Sequence, residues 1–411
     1  MSESTPSSSS YISSGTTQFY AILLCLFLAG FSIFSSVYCV QPMMPIFADF
    51  FHITPTHSSF PLSFSTISLA VGLLFAGLIS DRFGRKSVMV FSLFSTSILL
   101  LMSSQLPIWE IFLVTRILIG LAVSGVASVA MTYIGEEIAR EDIGLAMGLY
   151  ISGTAIGGMG GRLIAGVLID FIPWQMAMFI IGLLNLAIAV IFYLTLPASK
   201  HFTAFPIRFS RFKASFVKNF QDSTLRLLFA EGFILMGSFV SVFNYISYHL
   251  LEKPFQISQT LVGLLSIVYL SGIYSSPRVA AWSQKYSRGK VLVAMLMTMI
   301  LGLWIMLIPS LPFILIGLLI FTFSFFAAHS TSSSWVSIQS LQYRAVGSAL
   351  YLFFYYLGSS VLGSSNGLVW EKYGWLGLSL TITCVLMMGV MVAVQLQRKI
   401  EAEKLNSNSS E

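Results

Sequence analysis

The sequence predicts an all-α membrane protein of twelve transmembrane helices, arranged as two pseudo-symmetric six-helix bundles. The 411-residue chain is 56% hydrophobic and only 9% charged, with a mean hydropathy of +0.85. Apolar runs of about 20 residues recur along it, and the second half repeats landmarks of the first. So much apolar surface exceeds what one water-soluble core buries, and lipid is therefore the expected solvent.

Twelve apolar segments are each long enough to cross a bilayer as a helix, the form that satisfies its own backbone groups in hydrocarbon. We number them spans 1 to 12. They are predicted at 20–41, 60–79, 88–104, 109–133, 145–168, 175–195, 225–248, 261–281, 291–309, 313–335, 346–367 and 376–396.

The spans divide the chain into two bundles joined by a linker. The predicted division is a disordered cytoplasmic tail (1–18), an N-terminal six-helix bundle (19–196), a cytoplasmic linker (197–223), a C-terminal six-helix bundle (224–397) and a cytoplasmic tail (398–411). The first 18 residues are rich in Ser and Thr and contain no Lys or Arg. They therefore lack a signal peptide's basic region, and span 1 is expected to be an uncleaved anchor.

The basic residues predict the orientation of the chain. Of the 22 Lys and Arg, 17 lie in the even-numbered connections (2 to 3, 4 to 5, and so on) and the C-terminal tail. Only Lys253 and Lys372 lie on the opposite side. Since positive charge is retained in the cytoplasm, both termini are predicted to be cytoplasmic. The same loops explain the pI near 9.2 without nucleic-acid binding.

The two halves repeat each other at an offset near half the chain. Residues 80–85 align with residues 283–288, and Gly144 aligns with Gly347, both at an offset of 203. After a two-residue slip, three further residues match at 201: Gly166 with Gly367, Asp170 with Glu371, and Trp174 with Trp375. Six-helix repeats of preserved orientation predict two halves related by an axis along the membrane normal, with a path between them.

A charged turn connects spans 2 and 3. Residues 77–86 read Gly-Leu-Ile-Ser-Asp-Arg-Phe-Gly-Arg-Lys and fill every defined position of the pattern G-x-x-x-D-R-x-G-R-[RK]. The chain therefore resembles the major facilitator superfamily over residues 20–396, and within it the twelve-span drug:proton antiporter branch. The resemblance implies secondary transport by alternating access, with the two bundles rocking about a central site.

In that superfamily the turn is a cytoplasmic gate element. The resemblance implies this role for Gly77, Asp81, Arg82, Gly84, Arg85 and Lys86. Because a helix N-terminus carries partial positive charge, Asp81 is expected to hold span 11 against span 2. The basic residues are expected to pair with local carboxylates, such as those of Glu136, Glu137, Glu141 or Asp142. A topology anchor without gating is the alternative.

Arg116 in span 4 lies in a segment similar to the superfamily pattern l-x-x-x-R-x-x-q-G of proton-coupled members. Ile119 stands where the pattern has Gln, whereas Gly120 matches. A charged side chain inside a span costs about 2.5 to 3.5 kcal/mol on insertion scales, so it needs a partner or a function. The resemblance implies proton coupling; a structural arginine paired with a carboxylate or with backbone carbonyls is the alternative.

Span 5 resembles the antiporter pattern G-x8-G-x3-G-P-x2-G-G. The six positions are Gly144, Gly153, Gly157, Gly158, Gly161 and Arg162. Gly158 replaces the Pro and Arg162 replaces the last Gly, so four of six positions agree. The family associates this pattern with exporters. A glycine-rich packing face without directional meaning is the alternative.

The position of Arg162 within span 5 predicts a positively charged site inside the membrane. Counted inward from the outer ends of spans 4 and 5, Arg116 and Arg162 lie at a similar depth, about 10 Å below the outer surface. Two cations there could attract an organic anion or flank a carboxylate. Alternatively, Arg162 extends outward toward Asp170.

Two titratable side chains are further candidates for proton coupling. Glu231 is the acidic residue that lies clearly inside a predicted span, span 7. Such a carboxyl group can bind and release a proton as solvent access alternates. It lies about a third of the way in from the cytoplasmic end, so pairing with Arg226 or Arg344 is the alternative. His329 in span 10 is the weaker candidate, since a lone helical His is more often a packing residue.

Aromatic residues are the predicted lining of the cavity, contributed by spans 7 and 11. The candidates for substrate contact are Phe243, Asn244, Tyr245, Tyr355 and Tyr356. Such a wall suits an amphipathic ligand held by stacking and a few hydrogen bonds.

The expected function is proton-coupled efflux of small amphipathic compounds, with protons as the coupling ion. Export or uptake of a polar metabolite, such as a sugar, amino acid or organic anion, is the alternative. The sequence contains no P-loop and no H-E-x-x-H motif, and its G-x-S-x-G match at residues 363–367 lies in span 11 rather than at a strand-to-helix turn, so an enzyme is not expected. Cys25, Cys39 and Cys384 have no metal-type spacing, and no metal or cofactor is expected. The expected form is a monomer in the bacterial inner membrane.

Overall fold

The structure is a computed structural model, and it describes residues 11–202, 209–340 and 344–408. In these ranges eleven helices are long and apolar enough to cross a membrane. The last of them, Arg344–Asn408, is interrupted at Gly374, where φ is 60° and ψ is −155°. It is therefore two helices joined at a kink, and they correspond to spans 11 and 12. The predicted all-α fold class is confirmed.

The helix bounds agree with the predicted spans to within several residues. Spans 1 to 6 are Thr17–Tyr38, Phe60–Phe83, Arg85–Ser103, Trp109–Glu137, Ile143–Phe171 and Trp174–Thr195. Span 7 is Ser223–Leu251, span 9 is Arg288–Ile305 and span 10 is Leu311–Gln339. Span 8 is built from Gln259–Leu264, a 3-10 turn at Leu265–Tyr269, and Leu270–Tyr286. Two short helices, Met44–Phe51 and Pro55–Ser58, connect spans 1 and 2.

Side-chain caps explain where several of these helices begin. Thr16 accepts from the backbone N–H of Phe19 at 3.1 Å at the start of span 1. Asp222 accepts from the N–H of Thr224 at 2.7 Å at the start of span 7, and Ser258 caps span 8. Each cap satisfies an N–H group that the first helical turn leaves unpaired.

The internal repeat is visible in the backbone. Spans 2 and 3 meet at Gly84, with φ 89° and ψ 152°, and spans 8 and 9 meet at Ser287, with φ 74° and ψ 148°. These residues are 203 positions apart (287 − 84 = 203). A positive φ is favourable for Gly84 and unusual for Ser287, so the second half keeps the turn without its glycine.

The helices pack as two bundles. In the first, span 1 lies against spans 5 and 6, and span 4 against spans 2 and 3. In the second, span 7 lies against spans 10 and 11, and span 9 against spans 10 and 12. The bundles meet where span 2 contacts span 11 and where span 5 contacts span 8. We call the end that carries Asp81 the inner end, which is predicted to be cytoplasmic, and the end that carries Glu371 the outer end.

The predicted disordered tail needs a correction for residues 11–18. Ile12 forms an isolated β-bridge with Ile138, because its N–H donates to the carbonyl of Glu137 and its carbonyl accepts from Ala139, both at 2.9 Å. The ring of Tyr11 stacks on His201 with centroids 4.3 Å apart. This segment therefore covers the turn after span 4. Residues 1–10 and 409–411 of the two predicted tails lie outside the described residues.

The predicted linker also contains a helix that the sequence reading missed. It spans Phe209–Gln221 and contacts spans 7 and 11 of the second bundle. The ring of Phe220 lies 6.1 Å from that of Phe229 and 5.9 Å from that of Phe354. Residues 203–208 of the linker lie outside the described residues.

Candidate functional site

The most distinctive polar group between the two bundles is the side chain of Arg162. It lies on span 5, nine residues before the helix ends at Phe171, which places it about 14 Å from that end. The side chain is 4% exposed. Its guanidinium carbon lies 4.1 Å from the ring centre of Tyr38, 4.8 Å from Tyr269 and 5.6 Å from Phe243. The cation is thus surrounded by aromatic faces from spans 1, 7 and 8.

Arg162 begins a chain of hydrogen bonds that crosses from one bundle to the other. Its Nε donates to Oε1 of Gln41, which follows span 1. Gln41 Nε2 donates to Oδ1 of Asn244 on span 7 at 2.6 Å. Asn244 Nδ2 then donates to the carbonyl of Gly363 on span 11 at 3.1 Å. Because all three bonds run in one direction, each polarises the next.

The guanidinium keeps one amino group unused. Nη1 of Arg162 donates to the carbonyl of Gly158 at 2.7 Å, whereas Nη2 makes no hydrogen bond within the described ranges. A cavity of about 20 Å³ adjoins Arg162 and Gln41, which is room for about one water molecule. Phe243 is among its lining residues. The arginine therefore has free donor capacity in a space that is nearly filled.

Arg116 has different surroundings, although both arginines were predicted at a similar depth. It is fully buried, and Nη2 donates to the carbonyls of Ser36 and Val37, each at 3.0 Å. Nε donates to the carbonyl of Pro61 at 3.3 Å. These acceptors belong to the end of span 1 and the start of span 2. Arg116 therefore connects three helices of the first bundle through their backbone, which is the structural alternative that the sequence left open.

Neither arginine has an acidic partner among the described residues. The ion pairs found there join Arg85 to Asp81 and Glu136, and His201 to Glu137. Arg162 does not reach Asp170, which instead accepts from the N–H groups of Gln259 and Thr260. The positive charge beside the Tyr38 ring is therefore not neutralised by an Asp or Glu in the described part of the chain.

Aromatic rings continue from Arg162 into the second bundle. Tyr269 lies 5.5 Å from Phe239, whose ring stacks on Phe325 with centroids 3.8 Å apart. Phe325 lies 6.1 Å from His329, which in turn lies 4.5 Å from Tyr355. The rings form a continuous wall between the arginine and His329. Stacked and edge-on rings of this kind accept flat apolar groups.

The two titratable candidates lie in the second bundle. His329 Nδ1 and the hydroxyl of Tyr351 are 3.0 Å apart. Glu231 is fully buried, and neither of its carboxyl oxygens has a hydrogen-bond partner among the described residues. A pairing of Glu231 with Arg226 is therefore absent from this conformation, and the side chain of Arg344 lies outside the described residues. Both groups are separate from Arg162.

Three predicted cavity residues lie elsewhere than beside Arg162. Tyr355 is 9% exposed and packs against His329, and Tyr356 is 6% exposed beside it on span 11. Tyr245 is fully buried and donates its hydroxyl hydrogen to the carbonyl of Gly363 at 3.0 Å. Of the five predicted contacts, Phe243 and Asn244 are the two that meet the arginine site directly.

The predicted gate turn lies at the inner end, and its contacts stay within the first bundle. Arg85 donates to Asp81 at 2.6 Å and to both carboxyl oxygens of Glu136 at 3.0 and 2.7 Å. Arg82 lies over the ring of Phe83. The other two motif residues have aromatic neighbours, with Lys86 over the ring of Tyr193 and Gly84 near Phe202. The Arg85 pairing matches the expectation, whereas no hydrogen bond or ion pair joins Asp81 to span 11 among the described residues, which do not include residues 341–343 just before that span.

Most glycines of span 5 serve close packing. A Cβ atom at Gly153 would lie 2.2 Å from the carbonyl oxygen of Phe27, and one at Gly157 would lie 2.4 Å from that of Phe31. A Cβ at Gly161 would lie 2.6 Å from Cα of Ser35. These positions therefore let spans 1 and 5 touch backbone to backbone. Gly158 faces the ring of Tyr38, and Gly144 has open space around it.

The contacts that hold the outer end together were not predicted from the sequence. Asp170 at the end of span 5 accepts from the N–H groups of Gln259 and Thr260, at 3.0 and 2.7 Å, where span 8 begins. Glu371 at the end of span 11 accepts from the N–H of Thr56 at 2.8 Å, just before span 2. The signal was present, because Asp170 and Glu371 are equivalent in the internal repeat. Both carboxylates bind the start of a helix in the other bundle.

Hydroxyl groups add a second set of outer contacts between spans 2 and 11. Ser63 and Ser364 are 2.6 Å apart, and Thr66 and Ser360 are 2.8 Å apart. Ser59 donates to Ser364 at 2.9 Å. The hydrogen bonds between the bundles are thus concentrated in the outer half of the protein among the described residues.

Comparison with known proteins identifies the family. The family model described as Major Facilitator Superfamily matches residues 26–363. The chain is 45% identical over 392 residues to "Inner membrane transport protein YnfM" of Escherichia coli (strain K12), covering 95% of this chain and 94% of that protein. It is 41% identical over 391 residues to "Uncharacterized MFS-type transporter YybF" of Bacillus subtilis (strain 168), covering 95% and 97%.

Solved structures support the same fold. The nucleoside transporter NupG matches with a TM-score of 0.76 at 17% identity, covering 91% of this chain and 98% of that one. The xylose transporter XylE from E. coli matches with a TM-score of 0.69 at 14% identity, covering 93% and 98%. At such low identity the likeness concerns the fold alone.

The fold and the site between its halves define a multi-pass membrane transporter. The chain belongs to the Major Facilitator Superfamily. Its relatives are transporters rather than enzymes, and a transporter of this family sits in a lipid bilayer and binds a small-molecule substrate. The finer assignment to the drug:proton antiporter branch stays a prediction.

Proposed function

We propose that the chain is a secondary active transporter that exports a small amphipathic organic anion in exchange for protons. The observation that carries the proposal is the Arg162 guanidinium, which is buried between the bundles without an acidic partner in the described ranges. A buried cation is costly unless it is paired, and its Nη2 amino group is free. An anionic substrate would supply the missing charge.

The surroundings of the cation indicate the rest of the substrate. Tyr38, Tyr269 and Phe243 present ring faces around Arg162, and the aromatic wall continues through Phe239 and Phe325. A planar apolar body would stack against these rings while its acidic group binds the guanidinium. The proposed substrate is therefore an organic anion, one of the alternatives expected from the sequence, and it has the amphipathic character of the first expectation.

Glu231 is the proposed proton site. Its carboxyl group is buried with both oxygens unpartnered, so the charged form would be costly in this conformation. A change of conformation that admits water would allow it to exchange a proton. His329, which lies in the same bundle, pairs with Tyr351 and adjoins Phe325 of the aromatic wall, and it is the second proposed member. Arg116 is less suited to proton coupling, because its Nε and Nη2 groups are bound to backbone carbonyls of spans 1 and 2.

Alternating access would break the contacts between the bundles at the outer end and form new ones at the inner end. In this conformation the described hydrogen bonds join the bundles at the outer half. In the opposite conformation we propose that Asp81 binds the start of span 11 and closes the inner end, which rests on the resemblance of residues 77–86 to the family gate. The proposed direction, export, rests on the partial glycine pattern of span 5.

Flux through purified protein in liposomes tests the proposal. Protein is reconstituted with an internal pH dye, a proton gradient is imposed, and p-aminohippurate, its neutral amide or ethidium is added. We expect p-aminohippurate to drive proton movement above that of protein-free liposomes, and its amide to drive none. Arg162→Gln should abolish the signal, whereas Arg278→Gln, at an exposed arginine of span 8, should retain it. Proton movement with ethidium alone, unaffected by Arg162→Gln, would contradict an anionic substrate.

A further inference from the structure

The Arg162 site already contains a group that resembles a ligand. The carboxamide oxygen of Gln41 accepts from Nε of Arg162, and Gln41 is 1% exposed. A carboxamide and a carboxylate have the same planar shape, and both present an oxygen acceptor to a guanidinium. Gln41 is not held there by a helix, because span 1 ends at Tyr38 and residues 39–43 form a turn.

The geometry of the guanidinium explains what a carboxylate would gain. Arginine binds a carboxylate through two parallel N–H donors on one edge. In Arg162 the edge formed by Nε and Nη2 is half occupied, since Nε binds Gln41 and Nη2 has no partner within the described chain. The other amino group, Nη1, is used by the carbonyl of Gly158. The Nε and Nη2 edge is therefore the one that a second acceptor can take.

Space limits how that edge can be reached. The cavity beside Gln41 and Arg162 has a volume of about 20 Å³, enough for one water molecule and too small for an organic acid. A carboxylate can bind the edge only if the side chain of Gln41 leaves it. The bond from Arg162 to Gln41 has one ionised partner, whereas a carboxylate would be ionised itself and could take two parallel bonds from the guanidinium, so the exchange favours the carboxylate.

We propose that Gln41 is a stand-in ligand that holds the anion position of Arg162 until a substrate carboxylate displaces it. The inference rests on the proposed function and names the substrate group as a carboxylate bound to the Nε and Nη2 edge. Displacement also frees Asn244, since Gln41 Nε2 donates to its Oδ1 at 2.6 Å. This bond links the residue after span 1 to the second bundle, and substrate binding would thereby loosen a contact between the bundles. Gln41 thus sets both the selectivity and the resting state of the site.

Binding of benzoate and p-aminohippurate to purified protein in lipid nanodiscs tests the inference by calorimetry. Gln41→Met keeps the side-chain length but removes the competing oxygen, and it should raise the affinity for both carboxylates at least about tenfold, the value of one charged hydrogen bond. Gln41→Glu places a permanent carboxylate on Arg162 and should lower the affinity at least about tenfold. Gln105→Met, at an exposed glutamine between spans 3 and 4, is the matched control and should bind as wild type.

The outcomes separate this inference from the proposed function. Binding that is lost in Arg162→Gln but equal in wild type, Gln41→Met and Gln41→Glu would overturn the stand-in role and leave an anion transporter. Binding by Gln41→Met alone would support the stand-in role strongly. A variant that unfolds at the wild-type temperature is taken as correctly folded. If none of the folded variants binds either carboxylate, both proposals are wrong. Should Gln41→Met fail to fold, Gln41→Ala provides the same comparison.

Discussion

Two buried arginines of the first bundle, Arg116 and Arg162, have opposite surroundings. The guanidinium of Arg116 donates to three backbone carbonyls, so its hydrogen bonds stay within spans 1, 2 and 4. Each guanidinium keeps one amino group without a partner among the described residues, but that of Arg162 has aromatic faces around it and a side-chain acceptor, Gln41, that leads to the second bundle. The first arrangement fixes helices, whereas the second leaves capacity for a ligand.

Burial and residue type therefore do not determine whether a charged side chain inside the membrane has a structural or a ligand-binding role. Both side chains are nearly inaccessible, at 0% for Arg116 and 4% for Arg162. What distinguishes them is the identity of the acceptors: a backbone carbonyl cannot leave, whereas a glutamine side chain in a turn can.

The largest effect is expected from Arg116→Ala. The change leaves the carbonyls of Ser36, Val37 and Pro61 without their donor in a site closed to water, and it opens a cavity. We expect a loss of stability of roughly 3 to 5 kcal/mol. Thermal unfolding in detergent, compared with the exposed control Arg278→Ala, measures it. Unfolding at the wild-type temperature would mean that Arg116 does not hold these helices.

Arg162→Gln should show the reverse pattern. Its bonds to Gln41 and Gly158 are replaceable, so we expect a stability change within about 1 kcal/mol. Transport of p-aminohippurate should fall to the protein-free background, because the substrate loses its charged partner. Thermal unfolding and flux are measured on the same preparation. An unfolded variant would break the comparison, since both arginines would then be structural.

Glu231→Gln extends the comparison to a buried acidic group with no partner in the described chain. Because Gln cannot exchange a proton, we expect dye-reported proton movement to disappear while benzoate binding stays within about threefold of wild type, less than the effect of one hydrogen bond. The measurements are flux in liposomes and calorimetry in nanodiscs. Glu110→Gln, at an exposed glutamate of span 4, is the matched control. Normal proton-coupled flux in Glu231→Gln would make this carboxyl group structural.

The smallest effects are expected at the outer end. Asp170→Asn and Glu371→Gln each remove a charge from a contact with the start of a helix, worth about 1 kcal/mol or less. The outer contacts should then open more often. Labelling of Ser364→Cys by a membrane-impermeant maleimide should rise several-fold in the double variant and remain unchanged in Glu110→Gln. Equal labelling rates would show that these carboxylates do not hold the outer end.

The sequence predicted the all-α fold and most helix bounds, because apolar runs of span length have few other structures available in lipid. It also brought Arg162, Phe243 and Asn244 forward as site residues. It missed Gln41, which it placed inside span 1, although the following Pro42 is a local signal that a helix ends there. Contacts between distant segments have no local pattern, which is why the different acceptors of Arg116 and Arg162 could not be predicted.

The contacts at the outer end were also beyond prediction from the sequence. Asp170 and Glu371 were recognised as equivalent in the repeat, yet their partners are backbone N–H groups of the opposite bundle. A backbone donor has no residue type, so no sequence motif identifies it. That span 11 continues as a helix past Glu371 to the kink at Gly374 was likewise visible only in the structure.

Calorimetric titration of p-aminohippurate into wild type, Arg116→Lys and Arg162→Lys in nanodiscs tests the central claim most directly. Lysine keeps the charge at each position but cannot offer two parallel donors to a carboxylate. We predict that Arg116→Lys is less stable and binds with wild-type affinity, whereas Arg162→Lys is stable and binds at least about tenfold more weakly. Equal affinities for wild type and Arg162→Lys, or a loss of binding confined to Arg116→Lys, would contradict the assignment of the substrate site to Arg162.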